Sequence, residues 1–151
     1  MKKILMGVLL LSSFPIYAQS VSYNIGYMSD YWYRGVFQSE SSVNFGADVD
    51  TGSFYAGTWM ADVDQGIEMD VYAGTTFTIL GFDSYAGVTG YYYSDNFDSD
   101  YEEFNTGLSY GGISYDYSVG NYKTATEQDY TWTEVTLDLT CLLYTSDAAD
   151  E

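Results

Sequence analysis

Ile67-Glu68-Met69-Asp70-Val71-Tyr72-Ala73-Gly74-Thr75-Thr76-Phe77 is the stretch that decides the fold. Ile67, Met69, Val71, Ala73, Thr75 and Phe77 alternate with Glu68, Asp70, Tyr72, Gly74 and Thr76. A period of two belongs to a β-strand with unlike faces, whereas a helix repeats its apolar residues every three to four positions. One face here is apolar; the other carries two carboxylates, a ring and a bare backbone. The Tyr-Ala-Gly inside it recurs at Tyr55-Ala56-Gly57 and Tyr85-Ala86-Gly87, so a similar wall is built more than once.

The alternation runs along the chain from Val21 onward. Val21, Tyr23, Ile25 and Tyr27 share one face; so do Val43, Phe45, Ala47 and Val49, then Ile113, Tyr115, Tyr117 and Val119, and last Thr133, Val135, Leu137 and Leu139. Less regular runs cover 53–61, 83–93 and 102–110. This amounts to about eight strands, most near the ten or so residues of a tilted membrane strand. Thr51-Gly52, Leu80-Gly81 and Gly111-Gly112 read as tight turns, with glycine supplying the positive φ. Between them lie longer polar links at 36–42, 62–66, 94–100 and 122–129. Short and long links taking turns predict an all-β fold: an antiparallel up-and-down transmembrane β-barrel, its short turns periplasmic and its long loops outside.

Two more patterns bear on that fold. In the phase of Glu68 and Asp70, the glycines Gly26, Gly46, Gly57, Gly74, Gly87, Gly107 and Gly120 point inward. A concave wall is crowded, glycine relieves it, and a neighbouring tyrosine ring can lie over the gap. Rings also gather at the outer strand ends: Tyr31, Trp32, Tyr33, Trp59, Tyr91, Tyr92, Tyr93, Tyr101, Phe104, Tyr130 and Trp132. That is expected of a girdle at the headgroup level.

Composition narrows the function. The chain has 151 residues, with 18 Tyr, 15 Gly, one Pro and no His, and a formal net charge of −18. Only 17% of residues are charged, so nearly all the charges are acidic. Nucleic acid is argued against as a partner, because phosphates need Lys and Arg. The 19% of aromatic residues argues against disorder. Without histidine there is no Ser-His or Cys-His pair, and scattered acids make a poor case for a glycosidase; no enzymatic role and no cofactor is expected.

The first residues read as an export signal. Lys2 and Lys3, an apolar run over 4–11 and small residues up to Ala18 predict a cleaved signal peptide over 1–18. Arg34 and Lys123 then remain as the cations. The barrel is expected over 19–140 and to be incomplete. Alternation stops at Cys141, and 141–151 is expected to be a non-native tail on a truncated gene. The single Cys141 cannot form an internal disulfide.

The lumen is expected to carry Asp48, Asp50, Glu68, Asp70, Glu103, Asp116, Glu134 and Asp138, with no strand cation opposite them. Unpaired buried charge is costly, so these acids call for water. Eight strands enclose space that side chains nearly fill; the acids then cluster near the mouths, or the native barrel is larger. Asp98, Asp100 and Glu102, in a segment read as an exposed loop, are a weak candidate for Ca²⁺. A solvated acidic loop is the plainer alternative.

Ser29-Asp30-Tyr31-Trp32-Tyr33-Arg34-Gly35-Val36-Phe37-Gln38-Ser39 resembles the S-D-Y-x-F/Y-R-G-x-x-Q-S signature of the TorF family, porin-like outer-membrane barrels of proteobacteria. Phe54-Tyr55-Ala56-Gly57-Thr58-Trp59, then Val63-Asp64 and Glu68-Met69-Asp70-Val71-Tyr72-Ala73-Gly74, is similar to that family's F-Y-x-G-x-W…V-D…E-x-D-x-Y-x-G stretch. The likeness spans 21–139. It implies a bacterial outer-membrane location, lipid as the surrounding partner, passive diffusion of small solutes or cations, and more strands than this chain holds. Arg34, with Tyr31, Trp32 and Tyr33, is expected at the rim, ordering the first outer loop through cation–π contact and rim carboxylates. A filled barrel acting as adhesin or anchor through its loops, and a soluble secreted ligand-binding barrel, stay open. The soluble barrel requires Val43, Phe45, Ile67, Val71, Tyr115 and Leu137 inside.

Overall fold

The computed structural model describes residues 20–122 and 127–139. The expected signal peptide, Lys123 and the tail at 141–151 lie outside the described residues. Eight strands follow one another: β1 (Ser20–Tyr33), β2 (Val36–Asp50), β3 (Phe54–Asp62), β4 (Ile67–Ile79), β5 (Phe82–Tyr93), β6 (Tyr101–Tyr110), β7 (Ile113–Tyr122) and β8 (Gln128–Leu137). They form one sheet in sequence order, each strand antiparallel to the next. The sheet curls into a half-barrel, and among the described residues β8 is not paired with β1. No described helix is long and apolar enough to cross a membrane, a fact that says nothing about crossing by strands.

The faces follow the alternation. Val43, Phe45, Ile67, Val71, Tyr115 and Leu137 all lie on the convex face, 41 to 57% exposed. Glu68 and Glu103, on the concave face, are 1 and 2% exposed. The exposed side of the sheet is thus the apolar one.

Glycine–tyrosine pairing builds the concave wall. Tyr55 stands opposite Gly74, Tyr72 opposite Gly57, Tyr85 opposite Gly107 and Tyr130 opposite Gly120, each as a direct cross-strand partner. In each case the tyrosine fills the place a Cβ would take; one on Gly57 would stand 2.6 Å from Tyr72 Cε2. Tyr55 also covers Gly87, so one ring closes over the glycines of both other Tyr-Ala-Gly repeats. Ring on one strand and gap on the next interlock, and the sheet curls without colliding with itself.

The links differ from expectation at one place. Residues 36–42 are strand, not a long loop: β2 starts at Val36, and the turn is Arg34-Gly35. Arg34 has φ 49° and Gly35 φ 80°, the paired positive values of a two-residue hairpin turn that matches strand twist. The polar run Gln38-Ser39-Glu40-Ser41-Ser42 reads as loop by composition, but Ser39 and Glu40 pair with Tyr31 and Asp30. Tight connections at 51–53, 80–81 and 111–112 do share one end of the sheet, as expected. The opposite end has this hairpin tip, the longer links at 63–66 and 94–100, and the passage from β7 to β8. A register shift between Tyr31 and Trp32 bends the long β1–β2 hairpin there.

Candidate functional site

The bent hairpin leans over the concave face and brings distant residues together. Tyr31 Oη donates to Glu68 Oε1 at 3.1 Å, and the hydroxyls of Tyr33 and Tyr91 are 2.8 Å apart. Tyr31 packs with Ala61 and Val63, flanked by Met28, Tyr33, Trp59 and Phe97. This small apolar cluster holds the hairpin down.

At the tip, Arg34 reaches across to β6. Its Nη1 pairs with Glu103 Oε1, while Nη2 donates to Glu103 Oε2 at 3.1 Å and to Ser118 Oγ at 3.2 Å. The guanidinium lies 4.9 Å from the Tyr33 ring centre and 5.4 Å from that of Trp132. Burial, the largest single influence, would lower its pKa; the hydrogen bond to Glu103 together with the charges of Tyr33, Glu103 and Tyr91 outweighs that and leaves it raised. Glu103 also accepts from Tyr130 at 2.6 Å, Asn105 at 2.8 Å and Tyr91 at 3.3 Å. The expected cation–π contact is present, but the rim description needs correction. Arg34, Tyr31 and Tyr33 turn inward and dock; Trp32 alone stays on the outside, 59% exposed, edge-on to Phe37.

The ring clustering at this end is likewise mostly internal. Tyr91 stacks on Tyr101 at 4.3 Å, Tyr101 meets Tyr122 at 4.6 Å and Tyr122 meets Tyr130 at 5.1 Å, a band across β5 to β8 on the concave side. Of the expected girdle, Trp32, Tyr92 and Phe104 are exposed on the other face. Phase explains this: Tyr91 and Tyr93 pair with Asp70 and Glu68, and so share their face.

The acids expected in the lumen share the concave face but do not form a ring. Asp48 accepts the Tyr72 hydroxyl, and Asp116 accepts that of Tyr85 at 2.8 Å. Asp116 and Glu134 are direct cross-strand partners; Glu134 also takes the Trp132 indole N–H at 3.4 Å. Glu68 Oε2 and Asp70 Oδ1 are buried with no hydrogen-bond partner. Asp50 is exposed beside the 51–53 turn, and Asp138 lies just past β8, its N–H on the Gly112 carbonyl at 2.7 Å. Glu103 does face a cation, Arg34, supplied by a turn rather than a strand.

Asp98, Asp100 and Glu102 do not converge. Asp100 caps the Tyr93 N–H at 3.1 Å, Asp98 takes the Ser99 N–H at 2.7 Å, and Glu102 is on the convex side of β6. Glu102 and Glu103 belong to a strand, not a loop. Among the described residues no three acidic, His or Cys side chains come together as a metal site. Sequence reading did not single out Asn105 and Ser118, which brace Glu103 and Arg34. Their shared inward phase with Glu103 and Asp116 was the available signal.

Below Arg34 the concave face opens into a cavity of about 470 Å³, bordered by Tyr55, Tyr72, Tyr85, Trp132, Asp116 and Glu134. Rings and carboxylates line it together. Neither a curated protein nor a solved structure matches the chain. A family model described as a bacterial protein of unknown function (Gcw_chp) matches residues 15–141, and the chain belongs to that family.

Proposed function

We propose that this chain is the wall of a bacterial outer-membrane porin-like barrel that lets small solutes diffuse, with a preference for cations. The observation that carries this reading is the sidedness of the sheet: apolar side chains exposed on the convex face, carboxylates and hydroxyls on the concave one. Lipid is the medium that accepts such an outside, and water such an inside. The likeness of Ser29 to Ser39 to the TorF signature points the same way. A soluble ligand-binding barrel would need the reverse sidedness.

A second reading is favoured by one observation. The β1–β2 hairpin docks over the concave face through Tyr31, Tyr33 and Arg34, as it would in a filled barrel that works through its outer loops.

Planar bilayers separate the two. Under a KCl gradient the reconstituted protein is expected to show a reversal potential toward that of potassium at low salt. The preference should collapse as both sides approach molar, where screening shortens to about 3 Å. An anion preference at low salt would overturn the lumen assignment, and absence of current would favour the filled barrel.

A further inference from the structure

We infer that the cavity below Arg34 binds a small organic cation, an amine or a guanidinium, through Asp116, Glu134 and the rings beside them. Asp116 and Glu134 stand directly opposite each other on adjacent strands. Like charges so placed repel, and among the described residues the only ion pair is Arg34 with Glu103. Both acids border the cavity, together with Tyr72, Tyr85 and Trp132; Arg34 also borders it, with its charge paired to Glu103. Its volume suits a small solute. A metal ion finds few ligands here, since only two carboxylates meet. An organic cation finds both things it needs, carboxylates for its N–H donors and ring faces for its charge.

The chain demonstrates this chemistry one step higher. Arg34 places a guanidinium between the rings of Tyr33 and Trp132, against Glu103 and Ser118. Trp132 serves both places: one neighbour of its ring is Arg34, and its indole N–H orients Glu134. Arg34 therefore acts as a tethered occupant of the upper position, and a free cation of the same kind fits the lower one. The inference rests on the concave face being a wet lumen, and it names the class of solute that face selects.

Agmatine, with a guanidinium at one end and an ammonium at the other, is a suitable probe. The protein refolded in detergent micelles would be titrated with it by calorimetry, with maltose and glutamate as comparators. Agmatine should bind, and neither comparator should. Asp116→Asn with Glu134→Gln should weaken agmatine at least about tenfold, while Asp95→Asn with Asp98→Asn, an equal loss of charge in an exposed loop, should change it by less than about twofold. Glu134→Gln alone, at an exposed position, repeats the test with little risk to folding. Equal losses from the two acid pairs would mean diffuse attraction only and would overturn the inference, as would maltose binding or no agmatine binding. Micelles carry no current, so the two proposals fail separately. Binding without conductance sinks only the porin reading; cation-selective current without binding sinks only this one.

Discussion

Glu103 and Glu68 are the same side chain on the same concave face, each almost fully buried, yet their surroundings differ. Glu103 receives Arg34 at both oxygens and further donors from Tyr91, Asn105 and Tyr130. Glu68 receives the Tyr31 hydroxyl, and its second oxygen has no partner; Asp70, two residues on, also has one buried oxygen without a partner. Both acids anchor the first hairpin. One is a satisfied ion pair that locks the tip, the other an incompletely satisfied contact at the hairpin's bend. The contrast locates the hairpin's hold at Arg34, with Tyr31 as a weaker second fastening.

Replacing Glu103 should therefore cost most. Glu103→Ala leaves the Arg34 guanidinium partly buried without its carboxylate and strips the acceptor from three further donors. Removing one partner of a buried pair costs about 3 kcal/mol or more. Urea unfolding of the refolded protein should show the midpoint falling accordingly, and a midpoint within error of the parent would show that the pair contributes nothing. Tyr31→Phe is the next largest. It keeps the ring against Ala61 and Trp59 but removes the donor to Glu68, an effect of about 1–2 kcal/mol for a bond to a buried acid. A loss matching that of Glu103→Ala would abolish the ranking of the two fastenings.

Local features of this fold were legible in the sequence, and non-local ones were not. The strand with Ile67, Met69 and Val71 on one side could be read directly, because period two is a property of neighbours. The inward-facing residues were fixed once that phase was set, and the direct pairing of Tyr55 with Gly74 bears it out. The hairpin tip could not be read the same way. Gln38 to Ser42 is polar throughout, and only its pairing with β1 makes it strand. Arg34 and Glu103 are 69 residues apart, and nothing in either neighbourhood names the other. The inward turn of Tyr31 and Tyr33 depends on a break in the alternation between Met28 and Tyr31, where Ser29 and Ser41 drop out of the pairing and Ser41 has φ 59°. Rings were therefore located at the correct end of the sheet, but apart from Trp32, Tyr92 and Phe104 they lie on its concave side.

The smallest expected effect is also the most telling, because its sign differs from that of Glu103→Ala. Glu68→Gln replaces a buried acid by an amide of nearly the same shape. The amide oxygen can still accept from Tyr31, so the hairpin keeps its second fastening. The amide nitrogen adds two donors where there were none, and Asp70, on the same face two residues along, has a buried oxygen available to accept one. The replacement also removes one of two neighbouring acids, whose joint burial is unfavourable without a counter-charge. The expected outcome in urea unfolding is a midpoint unchanged or raised, by no more than about 1 kcal/mol in stability. Pairing Glu68→Gln with Tyr31→Phe should then cost less than Tyr31→Phe alone, since no charged acceptor is left short of a donor. A marked loss on Glu68→Gln would mean that the carboxylate is held by something stronger than Tyr31, and the distinction between the two buried acids would fall.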